Sequence, residues 1–166
     1  MYRNGHYGVV LLAFAPLGAV LVAGGLGTLA FVVVTGALWL AMLPDVDHRL
    51  PGVSHRGPTH TVWFALVVAA VLGGVGFLVG RSGMGAPHDP ATLVMAGAAV
   101  GLLSVVSHLL ADVLTPSGLR PFWPLSNRWY SLDVVPAKSR VGNYGLLGAG
   151  VFVTAAWVVL VVRFLP

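Results

Sequence analysis

From Gly8 to Leu43 the chain carries nothing more polar than Thr28 and Thr35. About 20 residues cross a hydrocarbon core, so a run of that length reads as two spans rather than one. The small-residue stretch "AGGLG" at 23–27 is the natural place for a tight turn between them. Apolar runs recur at about 59–79, 91–114 and 145–162; Gly80-Arg81 closes the first of these and "TPSG" at 115–118 stops the second. With the opening pair at about 8–24 and 27–43, the pattern predicts one membrane domain over residues 1–166. The class is an all-α integral membrane protein, a bundle of about five transmembrane helices. Residues 115–143 break the pattern: Phe122, Trp123, Trp129 and Tyr130 interleave with Arg120, Arg128 and Lys138. That mixture predicts an amphipathic interfacial segment at the headgroup level.

Composition sharpens this picture. The chain is 57% hydrophobic and 8% charged, with 22 Gly and every acidic residue an Asp, which excludes an ordinary soluble domain. The pI near 10.1 invites a nucleic-acid reading. The nine Lys and Arg form no basic run, however, and no nucleic-acid partner is expected. Seven of them (Arg3, Arg49, Arg56, Arg120, Arg128, Lys138 and Arg140) fall on the side that holds the N-terminus; Arg81 and Arg163 lie opposite. The positive-inside rule then puts the N-terminus on the cytoplasmic side of the cell (inner or plasma) membrane. The apolar region behind Arg3 continues to Leu43 without a cleavage site, so a retained anchor is expected rather than a signal peptide. Gly76-x-x-x-Gly80 and Gly97-x-x-x-Gly101 predict a close crossing of the third and fourth spans.

The ionisable groups are gathered where this topology makes them meet. "LPDVDHRLPGVSHRGPTHT" at 43–61 holds Asp45, Asp47, His48, His55 and His60. His6 precedes the first span, and His108 and Asp112 lie at the same end of the fourth, so all fall on one membrane face. His108 and Asp112, four apart in a helix, share a side and can grip one ion. His108 sits about 6 Å deeper than Asp112, where an unpartnered ionisable group is costly. Thr59 is the expected N-cap of the third span, which would turn helix-terminal amides toward the same region, suited to an anion. His48 beside Arg49 reads as solvated, and His88 as an ordinary loop residue.

With no Cys, any metal must be held by His and carboxylate. The candidate ligands are His6, Asp45, Asp47, His60, His108 and Asp112, enough for one ion, or for two if His6 joins and a carboxylate is shared. Either Asp45 or Asp47 can be the direct ligand. The donor set suits a divalent metal, zinc first, with manganese or iron as alternatives. Such an ion makes hydroxide available near neutral pH. His55 is then a candidate proton shuttle, and Arg56 a candidate holder of an anionic substrate group. HExxH, GxxxxGK[ST], GxSxG and GxGxxG are all absent.

"LPDVDH", "HRGPTHT" and "SHLLADVLTPSGLRPFWPLS", in that order, resemble the YdjM family of membrane-bound proteins, assigned to the metal-dependent hydrolases and also described as LexA-binding. The resemblance runs from His6 to the Trp-rich segment near residue 130. More distantly, the order His, Asp, His, His-x-x-x-Asp is similar to zinc-dependent phospholipase C and the single-strand nucleases. That likeness implies zinc ligands at His6, Asp47 or Asp45, His60, His108 and Asp112. The later His and His-x-x-x-Glu of that group have no counterpart here, so a three-zinc site is not implied. The expectation is a metal-dependent hydrolase cleaving a phosphoester, with membrane lipid as the substrate in view. The alternatives are a metal-binding membrane scaffold with a protein partner, as the LexA-binding description implies, and a small metal transporter. The transporter lacks support, because no ionisable residue falls at mid-membrane.

Overall fold

Among the described residues, five α-helices carry the chain: α1 (Arg3–Ala23), α2 (Gly27–Leu40), α3 (Val62–Arg81), α4 (Pro90–Val113) and α5 (Arg140–Phe164). The computed structural model describes residues 1–49, 51–52, 55–82 and 88–164. All five, with α2 continued to Arg49, are long and apolar enough to cross a membrane. The all-α class follows from the solvent: in hydrocarbon each backbone polar group needs an internal partner, and a helix supplies it within the segment. The outward faces, with Phe77, Leu78, Phe152 and Val162 exposed, are those that lipid would meet.

The α1–α2 turn forms where the small residues stand. Gly25 adopts φ 76°, Leu26 N–H reaches back to Leu21 C=O at 2.8 Å, and Gly25 N–H to Val22 C=O at 3.0 Å. This pattern ends a helix by satisfying its last carbonyls, and it needs the left-handed residue that Gly provides without strain. Helix α1 begins ahead of the apolar run, at Arg3, so His6 lies inside the helix rather than before it. A buried anchor holds that first turn: Asn143 at the start of α5 accepts from Tyr2 N–H at 2.9 Å and donates to Ser139 C=O at 2.7 Å.

Two close crossings organise the bundle. A Cβ placed on Gly76 would fall 2.2 Å from Leu93 O, and one on Gly97 would fall 2.2 Å from Leu72 O, so α3 and α4 meet backbone to backbone as their glycine spacing predicts. Between α1 and α5, Gly8 abuts the Leu146 backbone and Gly150 abuts Gly8 O in the same way. Lipid tails are as apolar as Leu, so the drive for these contacts is packing rather than dehydration.

Helix α2 is short. At 14 residues it spans about 21 Å, less than the ~30 Å of a hydrocarbon core. A 3₁₀ segment, Pro44–Arg49, continues it, and a second, Pro58–His60, leads into α3. Thr61 rather than Thr59 caps α3, accepting from Phe64 N–H at 3.2 Å. Thr59 is drawn elsewhere, to Asp47. The Val62 amide is taken by Pro121 C=O at 2.9 Å, so the helix end expected to face an anion is already occupied by the chain itself.

Residues 115–139 form no helix. They fold back across the end of α4, pinned by paired Leu119–Tyr130 hydrogen bonds, by Leu132 N–H to Val113 C=O at 2.7 Å and by Ser131 Oγ to Thr115 C=O at 2.7 Å. Arg120 lies over the Trp129 ring and Arg128 over Tyr130.

Candidate metal centre

α1, the two 3₁₀ segments and the last turns of α4 deliver His6, Asp45, Asp47, His60, His108 and Asp112 to one end of the bundle. Four atoms converge: His60 Nε2, His108 Nε2, Asp45 Oδ1 and Asp112 Oδ2. The two imidazole nitrogens are 3.3 Å apart. Asp45 Oδ1 lies 3.4 and 3.5 Å from them, and Asp112 Oδ2 lies 3.6 and 3.7 Å from them.

Protonation makes this convergence informative. His108 Nδ1 lies 2.7 Å from Ala41 O, a carbonyl that can only accept, so the ring donates from Nδ1, and in its neutral form the Nε2 lone pair faces inward. His60 Nδ1 faces Asp47 Oδ2 at 3.2 Å and Thr59 Oγ1 at 3.1 Å, which fixes the same tautomer. With the rings neutral, the two Nε2 lone pairs turn inward beside carboxylate oxygens of Asp45 and Asp112, an arrangement that a positive charge would satisfy. A tetrahedron with 2.0–2.1 Å bonds has edges of about 3.3–3.4 Å. The separations among His60 Nε2, His108 Nε2 and Asp45 Oδ1, 3.3, 3.4 and 3.5 Å, match such an edge, so these three donors could hold a divalent ion.

The surrounding contacts orient these donors, as is usual for metal-binding histidines. Asp47 is the hub. Its Oδ2 accepts from Arg56 N–H at 3.0 Å and Thr59 O–H at 3.2 Å, while Oδ1 faces His55 Nδ1 at 3.2 Å. Asp47 thus lies behind His60, and Asp45 is the carboxylate whose oxygen lies against both imidazole Nε2 atoms. Arg56, with φ 61°, sends Nη2 to Asp112 Oδ1 at 3.1 Å and Nη1 to Gly118 O at 2.6 Å. Its guanidinium is mostly buried, with both Nη atoms engaged by the protein. A non-Gly residue in that backbone region costs on the order of 1 kcal/mol and persists where its surroundings over-determine it.

His6 stacks flat on His108, ring centroids 4.0 Å apart, with Nε2 at 3.8 Å from Asp112 Oδ1. Its buried Nδ1 has no hydrogen-bond partner among the described residues. His6, His108 and Asp112 could themselves hold an ion, as could Asp45, His60 and His108. His55 is at the solvent edge, its side chain 40% exposed and stacked on His48 at 3.8 Å. A third group, Asp45, Asp47, His48 and His55, also has metal-compatible spacing, but two of its members are exposed. His88 lies apart from all of these, at the other end of α4.

The family model of the YdjM inner membrane protein matches residues 1–165. The chain belongs to the YdjM family. Inner membrane protein YdjM of Escherichia coli (strain K12) is 32% identical over 121 residues, 64% of this chain and 56% of that protein. Its counterpart in Shigella flexneri matches to the same extent. The match spans just over half the length of these curated relatives. No solved structure matches. Membership in YdjM, together with five apolar helices, makes the chain an integral inner membrane protein.

Sequence reasoning missed three contributors. Ala41 and Gly118 act through backbone carbonyls, which no residue type announces. Asn143 did carry a signal, a lone amide beside an apolar span, where such groups join helices.

Proposed function

We propose that this protein is a membrane-bound metal-dependent hydrolase that cleaves a phosphoester, with its site at the cytoplasmic face. The observation that carries the reading is the mutual spacing of His60 Nε2, His108 Nε2 and Asp45 Oδ1, three donors that leave a coordination position for water, with both imidazoles held from behind. A divalent ion bound there, zinc by preference, supplies Lewis-acid polarisation of the ester and lowers the pKa of water toward 7. The chain's own groups do the rest. The Asp45 side chain is 20% exposed while those of His60 and His108 are fully buried, so substrate and water approach from the Asp45 side. His55, half-exposed at the solvent edge with its Nδ1 against Asp47, is placed to carry a proton between the site and solvent. Arg56 fixes one oxygen of Asp112 so that the other keeps its aim.

A second reading, a metal-stabilised scaffold without turnover, rests on the same geometry with Asp112 Oδ2 added, because four protein donors suffice to close a tetrahedron. One preparation separates the two. Detergent-purified protein should hold stoichiometric metal and hydrolyse bis-(p-nitrophenyl) phosphate, and a His108→Ala, Asp112→Ala variant should lose both. Metal without hydrolysis across a phosphoester panel would select the scaffold. A metal-free wild type, even after reconstitution, would overturn both readings.

A further inference from the structure

Beside the metal centre two clefts meet. One, of about 380 Å³, is walled by Arg3, Trp39, Met42, Asp45 and Arg49 among others. The other, of about 420 Å³, is lined by Arg3, Tyr7, Leu11, Leu38, Trp39 and Leu147. Arg3 and Trp39 line both, so the two clefts adjoin at these side chains. The first holds two cations and ends on Asp45, the most accessible of the four donors. The second is a furrow between α1, α2 and α5, three of the helices long and apolar enough to cross a membrane, with Leu11, Leu38 and Leu147 along it.

The side chains are disposed to receive something. Arg3 gives one Nη to the Tyr7 hydroxyl at 2.9 Å, which holds the guanidinium in place and leaves its other N–H groups for an anion. Arg49 is exposed and pairs with no carboxylate among the described residues. Trp39 is 84% exposed at the junction, a ring suited to the boundary between acyl chain and headgroup. A soluble phosphate would use the arginines but have no need of the furrow, and a neutral lipid would use only the furrow.

The geometry points to a binding groove for an anionic phospholipid, its phosphate between Arg3 and Arg49 and its chain along Leu11, Leu38 and Leu147. This deepens the hydrolase reading and rests on it only for the chemistry. The lipid is the substrate class, entering laterally from the bilayer with its phosphate presented to the Asp45 side of the metal donors. Arg56, engaged with Asp112, is replaced in the anion-holding role by Arg3 and Arg49, which the sequence had marked only as orientation charges.

The test uses full-length protein in detergent, with dioleoyl phosphatidic acid, dioleoyl phosphatidylcholine and glycerol 1-phosphate as probes, and binding read by native mass spectrometry. Metal content is measured on the same samples. Wild type should prefer phosphatidic acid over phosphatidylcholine by about tenfold and should retain no glycerol 1-phosphate. An Arg3→Gln, Arg49→Gln variant should lose the preference with its metal content unchanged. Both side chains are exposed, so folding is not at stake. Equal binding of the two lipids by wild type, a preference that survives in the variant, or tight binding of glycerol 1-phosphate would overturn the groove. A preference that depends on the arginines in a protein without metal would support the groove and sink the hydrolase reading.

Discussion

The two ends of α4 each carry an aspartate, and they solve the same problem in opposite ways. Asp89 at the N-terminus is exposed and finds its partners within three residues, accepting from Ala91 N–H at 2.9 Å and Thr92 N–H at 3.1 Å. Asp112 at the C-terminus is buried and, beyond His108 one turn away, its partners come from afar: Arg56 is 56 residues distant in sequence, and His60 and His6 belong to other elements. A carboxylate with local partners ends a helix. One whose partners must be assembled from across the fold carries a cost that stability alone does not explain, because burying an ionised group is expensive unless it is paired. The difference separates a cap from a site.

The sharpest way to break the comparison is at Asp47, which touches His60 from behind. Asp47→Asn should weaken metal affinity by about 10–100-fold, measured by competition with a chromogenic chelator. The same change at Asp89 should leave that affinity as it was. An unchanged affinity in Asp47→Asn would mean that Asp47 does not orient His60 for the metal and serves only to join the loop to α3.

Between the ends lies the crossing of α3 with α4. Gly97→Ala would drive a methyl group into Leu72 O and should cost roughly 1–3 kcal/mol, seen as a lower Tm in detergent. Gly145→Ala, where a Cβ meets nothing within 4 Å, is the control and should leave Tm in place. If metal stoichiometry survives in Gly97→Ala, the mid-helix crossing and the C-terminal site are independent.

The smallest effect belongs to the cap. The Thr92 hydroxyl and the amides of Thr92 and Ala91 hold Asp89 below the ordinary carboxylate range. A lowered folded pKa stabilises above the unfolded value of about 3.9 and loses that contribution as pH falls through the folded value. Wild type should therefore melt slightly above Asp89→Ala at neutral pH, and the gap should close in strong acid. A gap that persists there would assign the cap's effect to something other than its charge.

Much of this was legible in the sequence. Hydropathy marked five spans, glycines marked the α1–α2 turn and the α3–α4 crossing, and topology alone placed the histidines and aspartates on one face. Finer choices were not. Asp45 and Asp47 are two residues apart on a 3₁₀ segment, and residue spacing says nothing of which carboxylate looks inward and which looks back. Thr59 and Thr61 are equally good caps by type; the decision fell to Asp47, which recruits the first and leaves the second to α3. Arg56 looked like a substrate ligand because a sequence displays charge and hides the partner that neutralises it.

The hydrogen bond from His108 to the carbonyl of Ala41 ties a functional proton to the main chain rather than to any side chain. Every residue type has that carbonyl, so replacing the side chain at position 41 cannot delete the contact directly. Only a shift of the end of α2 can. A tautomer secured in this way is mutationally robust: its loss would come from substitutions that move a helix, scattered through the bundle, and not from any one codon beside the histidine.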